Sequence, residues 1–189
     1  IRVDDNIPIA YNNLSKDEIS DRNLGQDLPI LLNFLPNVVT TSDAGAGIGY
    51  TGIRIRGINS QSTNVTINGI PYNDAESNLT YWVDLPDFSS SIENLQVQRG
   101  IGTSVNGSGA FGASINILTD NISQDPFFES NNTLGSYNTY KNTFRFSTGL
   151  LNDVFEFSGR LSKIDSDGYI DRASSDLKSY FLQASYKKN

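Results

Sequence analysis

The chain has 189 residues and carries 14 basic and 21 acidic side chains, a formal net charge of −7 at pH 7. It contains no Cys and no His, which excludes disulfides, thiolate metal sites and a Ser-His-Asp triad within it. Phosphate binding needs clustered Lys and Arg, so the acidic balance argues against nucleic acid as a partner.

Two short helices are predicted near the start of the chain. Ser15 is followed three residues later by Glu18, which is the spacing of a capping box. We therefore expect a helix over about residues 15–22 and a second over about 27–35. Pro36 ends the second helix, because the residue before a proline is pushed out of the helical region.

The middle of the chain predicts short, half-buried strands between glycine-rich loops. Apolar and polar side chains alternate in four segments, at residues 51–58, 64–70, 94–99 and 113–119. The connections at residues 41–50 and 71–86 are long for a compact domain, and loops of this length more often carry function.

After residue 126 the alternating segments become longer, and the side chains on one face are mostly aromatic. This pattern predicts four strands and is typical of a transmembrane β-barrel whose apolar face meets lipid. Four strands cannot close a barrel, since the smallest has about 8. A soluble sheet with one wet face explains the alternation equally well, so periodicity alone leaves both interpretations open.

Two motifs of the form G-x-G-x-x-G begin at Gly47 and Gly107. A dinucleotide site needs this turn to open a helix, whereas both motifs run into predicted strands. A calcium loop centred on Gly168 would need acidic ligands where Lys163 and Ser174 stand. We therefore predict no cofactor and no metal site.

Three arginines, Arg54, Arg56 and Arg99, lie in otherwise apolar or neutral strands. An arginine that points into a packed interior needs a carboxylate partner, and an exposed sheet face is the alternative. No nearby acid of the chain is an obvious partner, which is consistent with a partner in a further part of the protein.

Several short motifs occur in a fixed order along the chain. They are Leu35-Pro36-Asn37-Val38, Ile53-Arg54-Ile55-Arg56-Gly57, Asn68-Gly69-Ile70-Pro71, Gln98-Arg99-Gly100 and Asn106-Gly107-Ser108-Gly109-Ala110-Phe111-Gly112. Each motif is weak alone, but the ordered set, over about residues 7–120, resembles the plug domain of TonB-dependent outer-membrane receptors.

The resemblance implies an α+β plug domain, with short helices and a small mixed sheet, followed by the start of an antiparallel transmembrane β-barrel of about 22 strands. It divides the chain into a lead-in at residues 1–6, a plug domain at 7–122 and the first four strands of an incomplete barrel at 126–189. It also implies the outer membrane of a Gram-negative bacterium, with the plug in the barrel lumen.

Arg56 and Arg99 stand where the family has plug arginines that pair with barrel glutamates, and those partners would lie beyond residue 189. The resemblance places the solute-contacting apical loops at residues 41–50 and 71–83. Within these loops the expected ligand-binding side chains are Tyr50, Asn78, Tyr81 and Trp82. No catalytic residue is implied.

The function implied by the resemblance is binding of a scarce solute, by default an iron-siderophore complex, and gating of its energised uptake into the periplasm. The implied partners are TonB with its inner-membrane energising complex, a small solute such as an iron chelate, and outer-membrane lipid. Three alternatives stay open. They are a SusC-like glycan or peptide importer, a soluble secreted glycan-binding module, and an enzyme that depends on carboxylates alone.

Overall fold

The computed structural model describes residues 9–100, 111–119 and 121–187. The predicted lead-in at residues 1–6 and the glycines Gly107 and Gly109 lie outside these ranges. The described α-helices and strands are, in chain order, β1 (Tyr11–Ser15), α1 (Lys16–Ser20), α2 (Leu28–Leu31), β2 (Val38–Ser42), β3 (Thr51–Ile55), β4 (Thr63–Ile67), β5 (Ile70–Pro71), β6 (Ile92–Arg99), β7 (Ala113–Thr119), β8 (Phe127–Gly135), β9 (Thr139–Ser147), β10 (Phe155–Ser166) and β11 (Ser175–Tyr186). Short 3-10 helices lie at Ser60–Ser62, Trp82–Asp84 and Phe88–Ser91.

Both predicted helices exist, and both are shorter than expected. The capping box is confirmed, since the Ser15 hydroxyl accepts from the Glu18 amide and the Glu18 carboxylate accepts from the Ser15 amide at 2.9 Å. Helix α2 ends at Leu31, and Leu32 and Leu35 reach the core from an irregular turn. Tertiary packing therefore sets the end of α2 more than helix propensity does.

The first part of the chain forms a five-stranded mixed sheet in the order β1-β6-β7-β4-β5, in which only β4 and β7 run parallel. Strand β1 is a polar edge strand, so its sequence lacks a clear alternation, and pairing with β6 defines it. Strands β2 and β3 form a separate two-stranded ribbon that carries residues 43–50 at its tip.

The hydrophobic core lies between the five-stranded sheet, the two helices and the β2–β3 ribbon. Its central side chains, each at most 1% exposed, come from α2's C-cap and from β3, β4, β6 and β7: Leu32, Ile55, Val65, Ile92, Leu95, Val97, Ala113, Ile115 and Ile117. Trp82 and Phe88 extend this core towards the second half of the chain.

The second part of the chain is a four-stranded antiparallel meander, β8-β9-β10-β11, as the alternation predicted. Its polar face is the buried one. Along β9 the buried side chains are Thr139, Lys141, Thr143, Arg145 and Ser147, and the exposed ones include Tyr140, Phe144 and Phe146. A soluble sheet buries its apolar face, so this inverted arrangement favours a sheet that faces lipid.

The connections between these strands differ in length. The β8–β9 connection at residues 136–138 is short, whereas residues 148–154 and 167–174 form longer connections of similar length. Within the described residues, no helix has the length and apolar character needed to cross a membrane.

Candidate functional site

A cleft of about 210 Å³ opens between the tip of the β2–β3 ribbon and the loop that leads to Trp82. Two predicted side chains, Tyr50 and Tyr81, line it and are 64% and 42% exposed. Asp43, which the sequence analysis did not single out, lines the same cleft. The cleft therefore combines two aromatic rings with a carboxylate and several hydroxyl groups.

The other two predicted ligand-binding side chains have different surroundings. Trp82 also borders the cleft but is only 3% exposed and packs in the hydrophobic core. Little of the Trp82 ring is therefore accessible from the cleft, and its role as a ligand-binding side chain stays a prediction. Asn78 does not line the cleft, and its amide nitrogen donates to the backbone oxygen of Gln61 at 2.6 Å.

Local hydrogen bonds hold the loop that carries Tyr81. The Asp74 carboxylate accepts from the amide and the hydroxyl of Ser77, both at 2.7 Å. These bonds lower the pKa of Asp74 below its ordinary value. Asn73 accepts from the Val65 amide at 2.7 Å and donates to the oxygens of Thr63 and Asn78. A polar loop thus obtains a defined shape from side-chain-to-backbone bonds.

Behind the cleft lies a buried carboxylate, Asp27, which is 3% exposed. It accepts from the Thr51 hydroxyl at 2.8 Å, and its own amide donates to the Gly47 oxygen at 2.9 Å. Burial raises the pKa of Asp27 to about 7. Hydrogen bonds from Thr51 and the Gly49 backbone lower the same pKa, but their effect is smaller. Asp27 therefore joins α2 to the ribbon tip that forms one wall of the cleft.

We expect Asp27 to make the ribbon tip less stable as pH rises. Its raised pKa means that its stabilisation is complete below the unfolded value of about 4 and is lost as pH rises through about 7. The Asp27→Asn variant should remove this dependence. Hydrogen exchange of the amides of residues 47–51 between pH 5 and 8, corrected for intrinsic rates, measures it, and identical profiles for both proteins would contradict the expectation.

The ribbon tip also contacts the long loop between β10 and β11. The Ala44 oxygen accepts from the amides of Tyr169 and Ile170 at 2.8 and 3.2 Å. The Tyr169 ring lies so close to Gly45 that a β-carbon there would be 3.0 Å away. Tyr169 also packs edge-to-face on Tyr137 from the connection between β8 and β9. Both strand connections at this end are thus linked to the ribbon tip.

On the other side of the core, a second buried carboxylate joins the two parts of the chain. Asp87 is completely buried, and its oxygens lie 2.8 Å from the Lys141 ammonium and 3.3 Å from the Arg160 guanidinium. The hydroxyls of Thr143 and Ser162 also donate to it, the first at 2.5 Å. We call these five side chains the Asp87 cluster.

The backbone around Asp87 adds to this junction. The Pro86 oxygen accepts from the Ser179 hydroxyl at 2.8 Å and from Arg160 at 3.2 Å. Phe88 packs edge-to-face on Phe181 at 5.9 Å between ring centroids. Asp87 itself has a left-handed backbone, with φ of 53°, which Asp tolerates better than most residues. The turn therefore aims a carboxylate at the cationic face of β9 and β10.

Electrostatics decide the charge state of Asp87. Burial by itself raises the pKa of a carboxyl, but the charges of Lys141 and Arg160 outweigh burial and lower the pKa of Asp87 to about 2. Asp87 is therefore ionised at neutral pH. Sequence reasoning missed this residue because it looked for acids to pair with plug arginines. The sequence does contain a signal for Asp87. Cations occupy inward positions of β9 and β10, and they need an acid from the first part of the chain.

Arg56 and Arg99 lie close to each other through Gly100. Arg56 is exposed, and its guanidinium is 2.7 Å from the point where a β-carbon on Gly100 would be. Arg99 donates to the Pro36 oxygen at 3.3 Å. Across residues 9–100, 111–119 and 121–187, neither arginine pairs with a carboxylate. Their predicted ion pairs with a barrel stay a prediction.

The chain combines a mixed-sheet domain with a meander whose inner face is polar, and comparison with known proteins shows which family has this arrangement. The family model of the TonB-dependent receptor plug domain matches residues 4–114. The chain belongs to the TonB-dependent receptor family. The first part of the chain is thus the plug of the receptor, and strands β8 to β11 begin its barrel.

Individual relatives agree with this assignment. The chain is 30% identical over 168 residues to the vitamin B12 transporter BtuB of Vibrio vulnificus strain YJ016. The matched region covers 89% of this chain and 27% of that transporter. Pseudomonas aeruginosa FpvA superposes with a TM-score of 0.76 at 16% identity, over 96% of this chain and 23% of FpvA. Yersinia pestis FyuA superposes with a TM-score of 0.65 at 18% identity, over 93% of this chain and 28% of FyuA.

The chain thus spans about a quarter of the length of these relatives. At such identities the two solved structures show the fold alone. The predicted fold class is confirmed, and so is the location of the receptor in the outer membrane with its plug inside the barrel. The family consists of transport receptors rather than enzymes. The domain bounds at residues 7–122 and 126–189 stay a prediction.

Proposed function

We propose that this receptor binds a scarce solute at its outer surface and gates the energised uptake of that solute into the periplasm. The observation that carries the proposal is the pairing of two features in one plug. A cleft bordered by Tyr50 and Tyr81 lies at the ribbon tip, which contacts the β10–β11 loop, and the Asp87 cluster joins the plug to the barrel wall. The cleft suits recognition of the solute, and the Asp87 cluster controls whether the plug can shift.

The proposed solute is a ferric siderophore complex or a molecule of similar size, such as a cobalamin. The similar proteins support this range, since FyuA is described as a ferric yersiniabactin uptake receptor and BtuB as a vitamin B12 transporter. Tyr50 and Tyr81 suit such a ligand, because tyrosine combines apolar contact area with a polar hydroxyl at low entropic cost.

Gating requires that the plug has two states and that solute and TonB favour the same one. A bound solute can shift the plug only by the difference between its affinities for the two states. The ribbon tip is the part that can carry this difference, since it borders the cleft and contacts both the β10–β11 loop and Asp27. We propose that TonB, with its inner-membrane energising complex, then acts on the N-terminal side of the plug.

We also propose that Arg56 and Arg99 pair with carboxylates of barrel strands beyond residue 189. The Nε atom of Arg99 is buried, and within the described part of the chain it has no hydrogen-bond partner. The Arg56→Ala variant of the full receptor should keep solute binding nearly unchanged while proteases cleave its plug faster. Equal protease resistance of the variant and the wild type would count against the pairing.

Uptake in the source cell tests the proposed function. A strain that lacks the receptor should lose uptake of at least one labelled solute from a panel of ferric siderophores and cyanocobalamin, and a strain without TonB should lose the same uptake. The plasmid-borne receptor should restore it. Unchanged uptake of the whole panel, with loss of growth on an oligosaccharide or a peptide, would overturn the proposal in favour of a SusC-like importer. A receptor found in the soluble fraction would overturn it in favour of a secreted module.

A further inference from the structure

The outer end of the described structure carries many acids and almost no cations. The relevant segments are the two plug loops and the β10–β11 loop, at residues 42–50, 72–81 and 167–174. Their charged side chains, all exposed, are Asp43, Asp74, Glu76, Asp167, Asp171 and Arg172. The three segments together therefore carry five acids and one cation, and one of the acids, Asp43, lies at the cleft itself.

Among the described residues, no neighbouring cation neutralises these carboxylates. Where the structure describes the chain, none of the five forms an ion pair. The hydrogen bonds to Asp74 come from Ser77 and Glu76 amide or hydroxyl groups, and Asn138 donates to Asp167 at 2.6 Å. Neutral donors stabilise the ionised form of a carboxylate and leave its charge in place.

Asp43 brings this charge into the cleft itself. It lines the cleft together with the rings of Tyr50 and Tyr81 and the hydroxyl-bearing side chains of Ser60 and Thr80. Aromatic faces and carboxylates both attract cations, and they repel a carboxylate-bearing ligand that has to lose its water there. The Asp43 carboxylate and the two tyrosine rings thus favour positive charge over negative charge in the ligand.

We propose, on the basis of the proposed function, that the solute presents a neutral or cationic surface to this cleft and that Asp43 excludes anionic ferric chelates. Asp43 is then a specificity-determining residue of the plug. A ferric complex whose periphery is rich in carboxylates is a poor ligand, whereas a complex with an amide-rich or ammonium-bearing periphery fits.

Equilibrium binding to the purified full-length receptor tests the proposal with three probes. The probes are ferric citrate as the anion, cyanocobalamin as the neutral molecule, and a ferric trihydroxamate with a free ammonium arm as the cation. The wild-type receptor should bind the neutral or the cationic probe at least tenfold more tightly than ferric citrate. The Asp43→Lys variant should gain roughly three- to tenfold in affinity for ferric citrate and lose a similar factor for the cation.

Asp125→Lys is the matched control, because Asp125 is exposed in the segment that joins plug and barrel, away from the cleft. It changes the net charge equally and should alter no affinity by more than about twofold. The Asp43 side chain is exposed and does not belong to the hydrophobic core, so Asp43→Lys should fold.

The outcomes separate this proposal from the proposed function. Tight binding of ferric citrate by the wild type, equal effects of the Asp43 and Asp125 variants, or binding of none of the probes would overturn the charge selectivity. The uptake experiment is independent of these results. A receptor that supports TonB-dependent uptake of ferric citrate keeps the proposed function and loses this inference.

Discussion

Replacement of Asp87 with Asn is expected to destabilise the plug in its barrel by about 3–5 kcal/mol, because Lys141 and Arg160 would stay buried without a counter-charge. Hydrogen exchange of the β6 amides in the full receptor measures this change. Since about 1.4 kcal/mol corresponds to a factor of ten, protection should fall more than a hundredfold if these amides exchange through plug opening.

Glu93→Gln is the matched control for Asp87→Asn. Glu93 pairs with Lys16 at 3.1 Å, but both side chains are partly exposed, so the loss should be at most about 1 kcal/mol. A second arm combines Asp87→Asn with Lys141→Met. The double variant should recover part of the lost protection, since residues of one network do not act additively. Equal protection in wild type, Asp87→Asn and Glu93→Gln would show that the Asp87 cluster does not hold the plug.

The sign of the pH dependence follows from the same cluster. The pKa of Asp87 is lowered to about 2, so its stabilisation is present above the unfolded value of about 4. It is lost as pH falls through 4 towards 2. Asp27 behaves in the opposite way and weakens the ribbon tip as pH rises towards 7. Both carboxylates therefore contribute to stability together only at intermediate pH, between about 4 and 7.

A charge on the outer face of the barrel strands should be nearly as costly. Leu182 is 66% exposed on β11, opposite Gly159 of β10, and Phe146 of β9 lies on the same face. The Leu182→Arg variant should lose about 2–4 kcal/mol of folding free energy in a bilayer, because this position lies within the apolar band. Urea titration of the full receptor folded into lipid vesicles measures the change.

Asp176→Arg provides the control for Leu182→Arg, since Asp176 lies on the same strand and the same face at its loop end. Near the interface the cost should fall to about 0–1 kcal/mol. If the sheet faced water, both substitutions would stay within about 0.5 kcal/mol of the wild type. Equal small effects would therefore contradict the membrane position of β8 to β11.

The sequence by itself determined the local features of this receptor. The Ser15 and Glu18 capping box depends on residues three apart, and the period-2 alternation after residue 126 depends on neighbours along one strand. A short stretch of residues therefore suffices to predict either feature. The ordered plug motifs are recognisable for the same reason, since each is a short run with a fixed backbone role.

The tertiary structure decided which surfaces meet. Alternation defines two faces of a strand and does not say which is buried, so only the packed plug showed that the polar face of β9 lies inside. The polar edge strand Tyr11–Ser15 needed its partner β6 to be recognised, and only the packed structure showed that the Trp82 ring lies in the core. In the Asp87 cluster, Asp87 contacts side chains 54 to 75 positions further along the chain, and no local pattern records a contact formed only when the plug packs against β9 and β10.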